Sequence, residues 1–225
     1  MYLDVLIGVN IGRNKTTTTA VEQDYTLGIE QFGSLADYLV INVSSPNTPG
    51  LRALQTEAEL KNLLTSIRKA CDQSLKSLEK KPLILLKVAP DLDEKEIESI
   101  SKVIRQPNTS IDGLIVSNTT IARMNSLTSE HRNETGGLSG RPLKEKALQT
   151  LRSFRYHTQG LFIIELIHCF FFFYVRIQYL GQIPLIGVGG IETAEDILER
   201  IKAGASLVQS KSLLLFVFFF RLLNN

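Results

Sequence analysis

The sequence predicts an α/β protein, namely a parallel (β/α)8 TIM-type barrel of which about six of the eight βα units are present. Short apolar runs alternate with amphipathic stretches of helix length, which is the βα pattern. The apolar runs are continuous Val/Ile/Leu segments, which are typical of parallel strands covered by helices. A full eight-unit barrel takes about 250 residues, and the chain has 225.

Six strands and five intervening helices follow from the apolar runs. The strands are predicted at residues 5–11, 38–43, 83–88, 113–116, 184–188 and 205–209. Asp91, with Glu94 three residues later, predicts a capping box at the start of a helix. Gly204 predicts the end of a helix over residues 193–203.

Polar or glycine clusters stand at the ends of five predicted strands. They are residues 10–12, 42–45, 87, 117–119 and 187–190. Active sites of βα barrels are assembled where the carboxyl ends of several strands meet, whereas a doubly wound sheet binds its ligand at one crevice. Five clusters at five strand ends therefore favour the barrel.

Composition excludes several classes of function. The net charge of +2 comes from 25 basic and 23 acidic residues in mixed runs, so no nucleic-acid surface is expected. Cys71 and Cys169 lie far apart, which indicates a reduced compartment. The three histidines, His131, His157 and His168, lack metal-site spacing, so no metal is predicted. No signal peptide is recognisable at the start of the chain.

Two phenylalanine-rich segments break the βα pattern, at residues 161–181 and 212–225. The apolar part of the first segment, residues 161–175, has 15 residues and is shorter than the roughly 20 apolar residues that span a bilayer. Such runs also result when a pyrimidine-rich non-coding tract is translated, and we interpret them in this way. The chain then divides into a partial barrel at 1–160, an insertion at 161–181, a barrel continuation at 182–211 and an aberrant tail at 212–225.

The strand-end clusters contain residue types that can bind ligands. Residues 42–52 form either a turn or a binding loop, because Asn, Ser, Pro and Gly serve both roles. Lys87 ends an apolar run, and it is a surface lysine, a contact to a flavin or phosphate, or a Schiff-base amine. The glycine-rich loops 136–140 and 187–190 each precede a predicted helix, where backbone N–H groups suit a phosphate.

Six ordered motifs closely resemble the quinone-linked dihydroorotate dehydrogenases. They are VNIGRNK at 9–15, NVSSPNTPGLR at 42–52, LLKVAPDL at 85–92, SNTT at 117–120, ETGGLSGRPL at 134–143, and IPLIGVGGI at 183–191 followed by AGASLVQ at 203–209. The resemblance implies a barrel enzyme of pyrimidine synthesis that oxidises dihydroorotate to orotate with FMN. A quinone, ubiquinone, is then the final electron acceptor, and the parent enzyme is expected at the mitochondrial inner membrane.

The resemblance also implies roles for individual residues. Ser45 matches the base that removes a proton from dihydroorotate, and Lys87 is suited to stabilise negative charge on the reduced flavin. The implied FMN contacts are Asn10, Asn42, Lys87, Ser117, Asn118, Ser139, Gly140, Val188, Gly189, Gly190 and Ser212. The implied substrate contacts are Asn42, Asn47, Asn118 and Thr119.

The sequence departs from the family pattern in three places. The N-terminal helices that form the family's quinone tunnel and membrane contact, and the first barrel strands, have no counterpart before Met1. Residues 161–181 separate two motifs that are nearly adjacent in the family, and Lys211–Ser212 stands where the family has Tyr–Thr. An impaired fragment is therefore expected. The alternatives are a flavin-free barrel lyase or aldolase that uses Lys87, and a fragment without catalytic function.

Overall fold

The computed structural model describes residues 6–17, 19–158 and 183–210. This part of the chain contains six strands, five α-helices and two short 3-10 turns. In chain order they are β1 (Gly8–Gly12), α1 (Glu22–Phe32), β2 (Tyr38–Asn42), a 3-10 turn (Leu51–Gln55), α2 (Glu57–Ser74), β3 (Leu83–Val88), α3 (Glu94–Val103), β4 (Gly113–Val116), a 3-10 turn (Arg141–Leu143), α4 (Lys144–Thr158), β5 (Leu185–Val188), α5 (Ala194–Lys202) and β6 (Leu207–Gln209). The predicted insertion at 161–181 and tail at 212–225 lie outside the described residues.

The six strands form one parallel sheet in which each strand pairs with the next one along the chain, in the order β1-β2-β3-β4-β5-β6. A doubly wound sheet would reverse its strand order at a switch point, and this sheet does not. The predicted partial barrel is thereby confirmed, and all six predicted strands are present.

The sheet has a large hydrophobic core on its outer face and a small one on its inner face. Outward side chains such as Leu39 and Leu86 pack with helical residues such as Ile67 and Phe154, and all four are fully buried. The inner cluster contains three buried residues, Val40, Leu85 and Ile115. Helices therefore cover the outer face of the sheet. The inner face carries a small apolar cluster and, toward the carboxyl ends of its strands, polar side chains.

The helix ends partly match the prediction. Gly204 follows α5 with a φ of +105°, as expected for a glycine stop. The predicted capping box at the start of α3 is wrong by two residues, because Asp93 and Glu96 form it. Asp91 lies two residues earlier and contacts other loops, as described below.

Asp196 joins the starts of α4 and α5. Its carboxylate accepts hydrogen bonds from the backbone N–H groups of Glu192 at 2.8 Å and Thr193 at 2.9 Å. The same carboxylate forms an ion pair with Lys144 Nζ at 2.6 Å. Burial raises the pKa of Asp196, but Lys144 and the two N–H groups outweigh burial and lower the pKa to about 2. The ion pair between Asp196 and Lys144 fixes α5 against α4, the helix that follows the glycine-rich loop 136–140.

We predict that Asp196→Asn destabilises the protein at neutral pH by roughly 1–3 kcal/mol, the usual contribution of hydrogen bonds to a charged group. Because the folded-state pKa is depressed, the carboxylate stabilises the fold above its unfolded pKa, and this contribution is lost as the pH falls toward 2. Urea unfolding of both proteins from pH 7 to pH 2 measures the difference. The exposed Glu195→Gln is the matched control, and a difference that stays constant with pH would contradict the prediction.

Candidate functional site

The carboxyl ends of β2 and β3 place Asn42 beside Lys87. These two residues are register partners in the parallel ladder. Side chains alternate between the two faces of a strand, so Asn42 shares the inner face with Val40, and Lys87 shares it with Leu85. Both residues are half-buried. The sheet therefore brings together two of the residues that the sequence singled out, on the inner face.

Asn42, Ser44 and Asn118 form a hydrogen-bonded network across the ends of β2, β3 and β4. Asn118 Nδ2 donates to Asn42 Oδ1 at 3.2 Å and to Ser44 Oγ at 3.0 Å. Ser44 Oγ lies 2.7 Å from the carbonyl oxygen of Lys87 and 3.1 Å from Asn42 Oδ1, and its single proton can serve one of them at a time.

Two backbone N–H groups fix the orientation of both amides. The N–H of Ser44 donates to Asn42 Oδ1 at 3.2 Å, and the N–H of Thr119 donates to Asn118 Oδ1 at 2.8 Å. A backbone N–H can only donate, so each amide must turn its oxygen toward it. Both hydrogens of Asn118 Nδ2 are then used, whereas Asn42 Nδ2 has no acceptor within the described part of the chain. The network offers a ligand an N–H donor from Asn42 and a lone pair on Asn118.

Sequence reasoning missed Ser44, which is fully buried at the centre of this network. One signal could have found it. Ser44 follows Asn42 at a spacing of two residues, which places both side chains on the same face of an extended chain. The hydroxyl is held by groups on three strand ends, so it serves as an internal link between them.

Ser45 and Asn47 lie in the loop that follows β2. Ser45 is half-buried, and its Oγ accepts a hydrogen bond from the N–H of Asn47 at 3.3 Å. A Cβ added to Gly136 would lie 3.6 Å from Asn47 Oδ1, and one added to Gly137 would collide with Thr119 Oγ1. The loop around Gly136 therefore covers the side of the site that carries Asn47 and Thr119.

The two glycine loops meet at the starts of α4 and α5. Gly190 has a φ of +65°, and a Cβ on it would lie 2.6 Å from the backbone nitrogen of Lys144. Arg200 is 1% exposed, and its Nη2 donates to Gly189 O at 2.6 Å and to Lys144 O at 2.9 Å. These backbone contacts and the guanidinium of Arg200 hold the two loops together. The backbone of the two loops, residues 136–140 and 187–190, is called the glycine cradle below.

At the N-terminus of α5, Asp196 accepts the N–H groups of Glu192 and Thr193. The predicted phosphate contacts are the N–H groups of the preceding loop, residues 187–190, which these two hydrogen bonds do not involve. An anion at this cradle would therefore contact the glycine loops themselves.

The remaining predicted site residues lie around the Asn42–Ser44–Asn118 network and the glycine cradle. Asn10 is exposed on β1, and the backbone N–H of Ser117, which is 2% exposed, donates to Val188 O at 3.1 Å. Ser139 and Gly140 are exposed ahead of the 3-10 turn that leads into α4. Ser212 lies outside the described residues. The described residues hold no group of three His, Cys, Asp or Glu side chains arranged to bind a metal ion.

Comparison with known proteins identifies relatives over nearly the whole chain. The dihydroorotate dehydrogenase (quinone), mitochondrial, of Mus musculus is 44% identical over 211 residues, which cover 94% of this chain and 47% of the mouse protein. The dihydroorotate dehydrogenase (quinone) of Rhodospirillum rubrum is 45% identical, with 94% of this chain and 50% of the relative covered. The chain thus spans about half the length of the curated relatives it matches.

Solved structures agree with the sequence comparison. The ligand-free DHODH of Eimeria tenella superposes with a TM-score of 0.76 at 38% identity, covering 93% of this chain and 55% of that structure. A deoxyribose phosphate aldolase from Aeropyrum pernix has a TM-score of 0.55 at 15% identity, which shows a shared fold alone.

The family model described as dihydroorotate dehydrogenase matches residues 2–169 and 170–220. The chain therefore belongs to the dihydroorotate dehydrogenase family, with relatives of the quinone type.

Proposed function

We propose that this chain carries the substrate and flavin residues of an enzyme that oxidises dihydroorotate to orotate, with FMN and a quinone as successive electron acceptors. The observation that carries the proposal is the polarised amide pair, in which Asn42 offers a donor and Asn118 an acceptor. Dihydroorotate is a cyclic amide with N–H and C=O groups side by side, so its edge complements such a pair.

The polar residues around the amide pair support the same substrate. Asn47 and Thr119 extend the hydrogen-bonding surface, and the Gly136–Gly137 backbone lies against both. An N–H from Asn42 pairs with a carbonyl or carboxylate oxygen of the substrate, and the free lone pair of Asn118 accepts from a ring N–H. The inner cluster of Val40, Leu85 and Ile115 lies beneath these groups on the same face. This arrangement suits a small planar ligand with polar edges.

The cradle and the inner face fit FMN. Gly189 and Gly190 have φ values of +109° and +65°, and a Cβ on them would collide with Leu143 and Lys144, so the loop presents backbone and no side chain of its own at these positions. Bound FMN supplies the two-electron acceptor for the oxidation. The residues proposed to hold it are Asn10, Asn42, Lys87, Ser117, Asn118, Ser139, Gly140, Val188, Gly189 and Gly190, with Ser212 outside the described part.

Ser45 is proposed as the base that removes a proton from dihydroorotate. A serine hydroxyl is a weak base, so the surroundings must favour its charged form. The N–H of Asn47 points at Ser45 Oγ, and this bond stabilises the negative charge that develops when the hydroxyl gives up its own proton. The hydroxyl must give up its own proton before it can accept one from the substrate, and a relay through solvent is proposed to take that proton.

The quinone reaction is proposed for the parent protein, not for the residues described here. Relatives include mitochondrial quinone enzymes of Mus musculus and Kluyveromyces lactis, which supports a mitochondrial inner membrane location for the parent. None of the described helices is long and apolar enough to cross a membrane.

We predict that, in the full-length parent enzyme, Ser45→Ala lowers the rate of dihydroorotate oxidation by about 10² to 10⁴-fold, the usual effect of losing a general base. Flavin should remain bound, since Ser45 lies outside the glycine cradle. The measurement is anaerobic flavin bleaching by dihydroorotate, together with the flavin content of the purified protein.

The control for this variant is Ser126→Ala, on an exposed loop, which should leave both quantities unchanged. Normal bleaching in Ser45→Ala would assign the base elsewhere. A colourless wild-type protein in which borohydride traps a carbonyl substrate on Lys87 would instead establish the lyase alternative.

We further propose that residues 161–181 are an insertion that the site does not use. The helix-to-strand connections of a barrel normally take a few residues, and exposed phenylalanine runs promote aggregation. We predict that deleting residues 161–181 increases soluble yield and flavin uptake, measured by sedimentation and absorbance. The exposed point variant Ser126→Ala, which should change neither quantity, is the control. Equal yield and flavin uptake with and without 161–181 would show that the segment belongs to the native protein.

A further inference from the structure

Arg52 contacts three loops of the site at once. Its Nε donates to the carbonyl oxygen of Ser44 at 3.1 Å, and its Nη2 donates to that of Thr119 at 2.9 Å. Its Nη1 forms an ion pair with Asp91 Oδ2 at 2.7 Å. These partners follow β2, β4 and β3 respectively. We propose that Arg52 and Asp91 form a positioning pair that aligns the substrate residues of the site, a role that rests on the function proposed above.

Asp91 connects the pair to the start of the loop that follows β4 and to α4. One carboxylate oxygen accepts from Arg52 and from the N–H of Ile121 at 3.0 Å, and the other accepts from the hydroxyl of Thr120. Lys146 Nζ approaches the second oxygen at 3.3 Å. Burial raises the pKa of Asp91, but the hydrogen bonds from Thr120, Ile121 and Arg52 outweigh burial and keep the pKa below its usual value. The carboxylate therefore stays charged and paired.

The two carbonyl groups that Arg52 binds are part of the site's own backbone. The carbonyl of Ser44 lies in the planar peptide unit that leads to Ser45, so holding it fixes where the Ser45 side chain begins. The carbonyl of Thr119 belongs to a predicted substrate residue, whose N–H already holds Asn118. Arg52 itself touches neither amide of the polarised pair. Its effect on the ligand must therefore pass through the loops that it binds.

The 3-10 turn that carries Arg52 is anchored independently. Gln55 is 5% exposed, and its Oε1 accepts the N–H of Ala89 at 2.9 Å. Ala89 follows β3 and precedes Asp91 by two residues. The turn is thus fixed to the same loop that presents the carboxylate, so the guanidinium has a defined starting point for its three contacts.

A second arginine–aspartate ion pair, Arg68 with Asp112, lies outside the site and serves as a control for the first. Arg68 lies 3.6 Å from Asp112, and its side chain is 27% exposed, compared with 22% for Arg52. Asp112 also accepts the N–H of Ile84, at the amino end of the sheet. The two pairs have similar exposure at opposite ends of the strands. Arg68→Met is therefore a matched control for Arg52→Met.

The test compares Arg52→Met, Arg52→Lys and Arg68→Met with the wild-type chain loaded with FMN. Four quantities are measured: flavin content, the Kd of orotate from the shift in the flavin spectrum, the urea midpoint of unfolding, and amide hydrogen exchange in the segments around Ser45 and Thr119. Lysine keeps the charge for Asp91 but has no planar fork to bind two carbonyl groups as well. Both Arg52 variants should retain flavin and bind orotate about 10 to 100-fold more weakly, because small misalignments of a site have effects of this size.

Arg52→Lys separates positioning from charge pairing. We expect it to unfold at a urea concentration near that of the wild type, yet to show weakened orotate binding and exchange about 10-fold faster in the two segments. Arg68→Met should show neither change. Normal orotate binding in Arg52→Lys, or exchange equal to that of Arg68→Met, would overturn the proposal. If wild-type protein holds FMN but does not bind orotate, the proposed function fails, and the exchange data alone then decide whether Arg52 aligns the two segments.

Discussion

The parallel pairing of six consecutive strands is the constraint on which the rest of the structure depends. Because every strand runs in the same direction and pairs with its sequence neighbour, all the carboxyl ends lie at one end of the sheet. Asn42 and Asn118 are separated by 76 positions along the chain, yet their amides hydrogen-bond. Such a contact needs no special loop, since only β3 lies between β2 and β4 and the ladder brings their carboxyl ends to the same edge of the sheet.

Side chains from the outer face extend this constraint to the loops. Tyr25, on α1, is fully buried, and its hydroxyl donates to the carbonyl oxygen of Asn42 at 3.0 Å. The hydroxyl oxygen of Thr150, on α4, lies 3.2 Å from the carbonyl oxygen of Pro90 and 2.9 Å from that of Lys146, and its one proton can serve either of them. The helices therefore also hold the loops in place, because their side chains bind backbone carbonyl groups at or just after the carboxyl ends of the strands. Buried carbonyls need such partners, and each partner also limits how far a loop can shift.

The strands and the glycine stop were predictable from sequence because hydrophobic runs and backbone requirements are local properties. Asp91 shows where local reasoning fails. Its spacing to Glu94 imitates a capping box, but the cap belongs to Asp93, and Asp91 binds Arg52, which is 39 positions away. Ser44 was missed for the same reason, because its importance comes from groups on other strands. The two-residue spacing from Asn42 places Ser44 on the same face of the chain, but it does not show that the hydroxyl joins three strand ends.

The asparagines of the site were predicted by their resemblance to a family, but their orientation was not. An asparagine can turn its amide by half a rotation at little steric cost, so residue identity does not say which end faces the ligand. The orientation is decided by two backbone N–H groups, which exist at those places only once the loops have folded.

On the proposed function, the fixed orientation of the two amides determines which ligands the site accepts. A ligand with an oxygen or a methylated nitrogen in place of the ring N–H would leave the lone pair of Asn118 facing a group that cannot donate to it. Sites built to pair with a polar group reject analogues that lack it by about 10⁴ to 10⁵-fold, because a buried polar atom is then left unpaired. The pair cannot adapt by rotating, since rotation would break its bonds to the backbone. Selectivity at this position is therefore a property of the main chain as much as of the side chains.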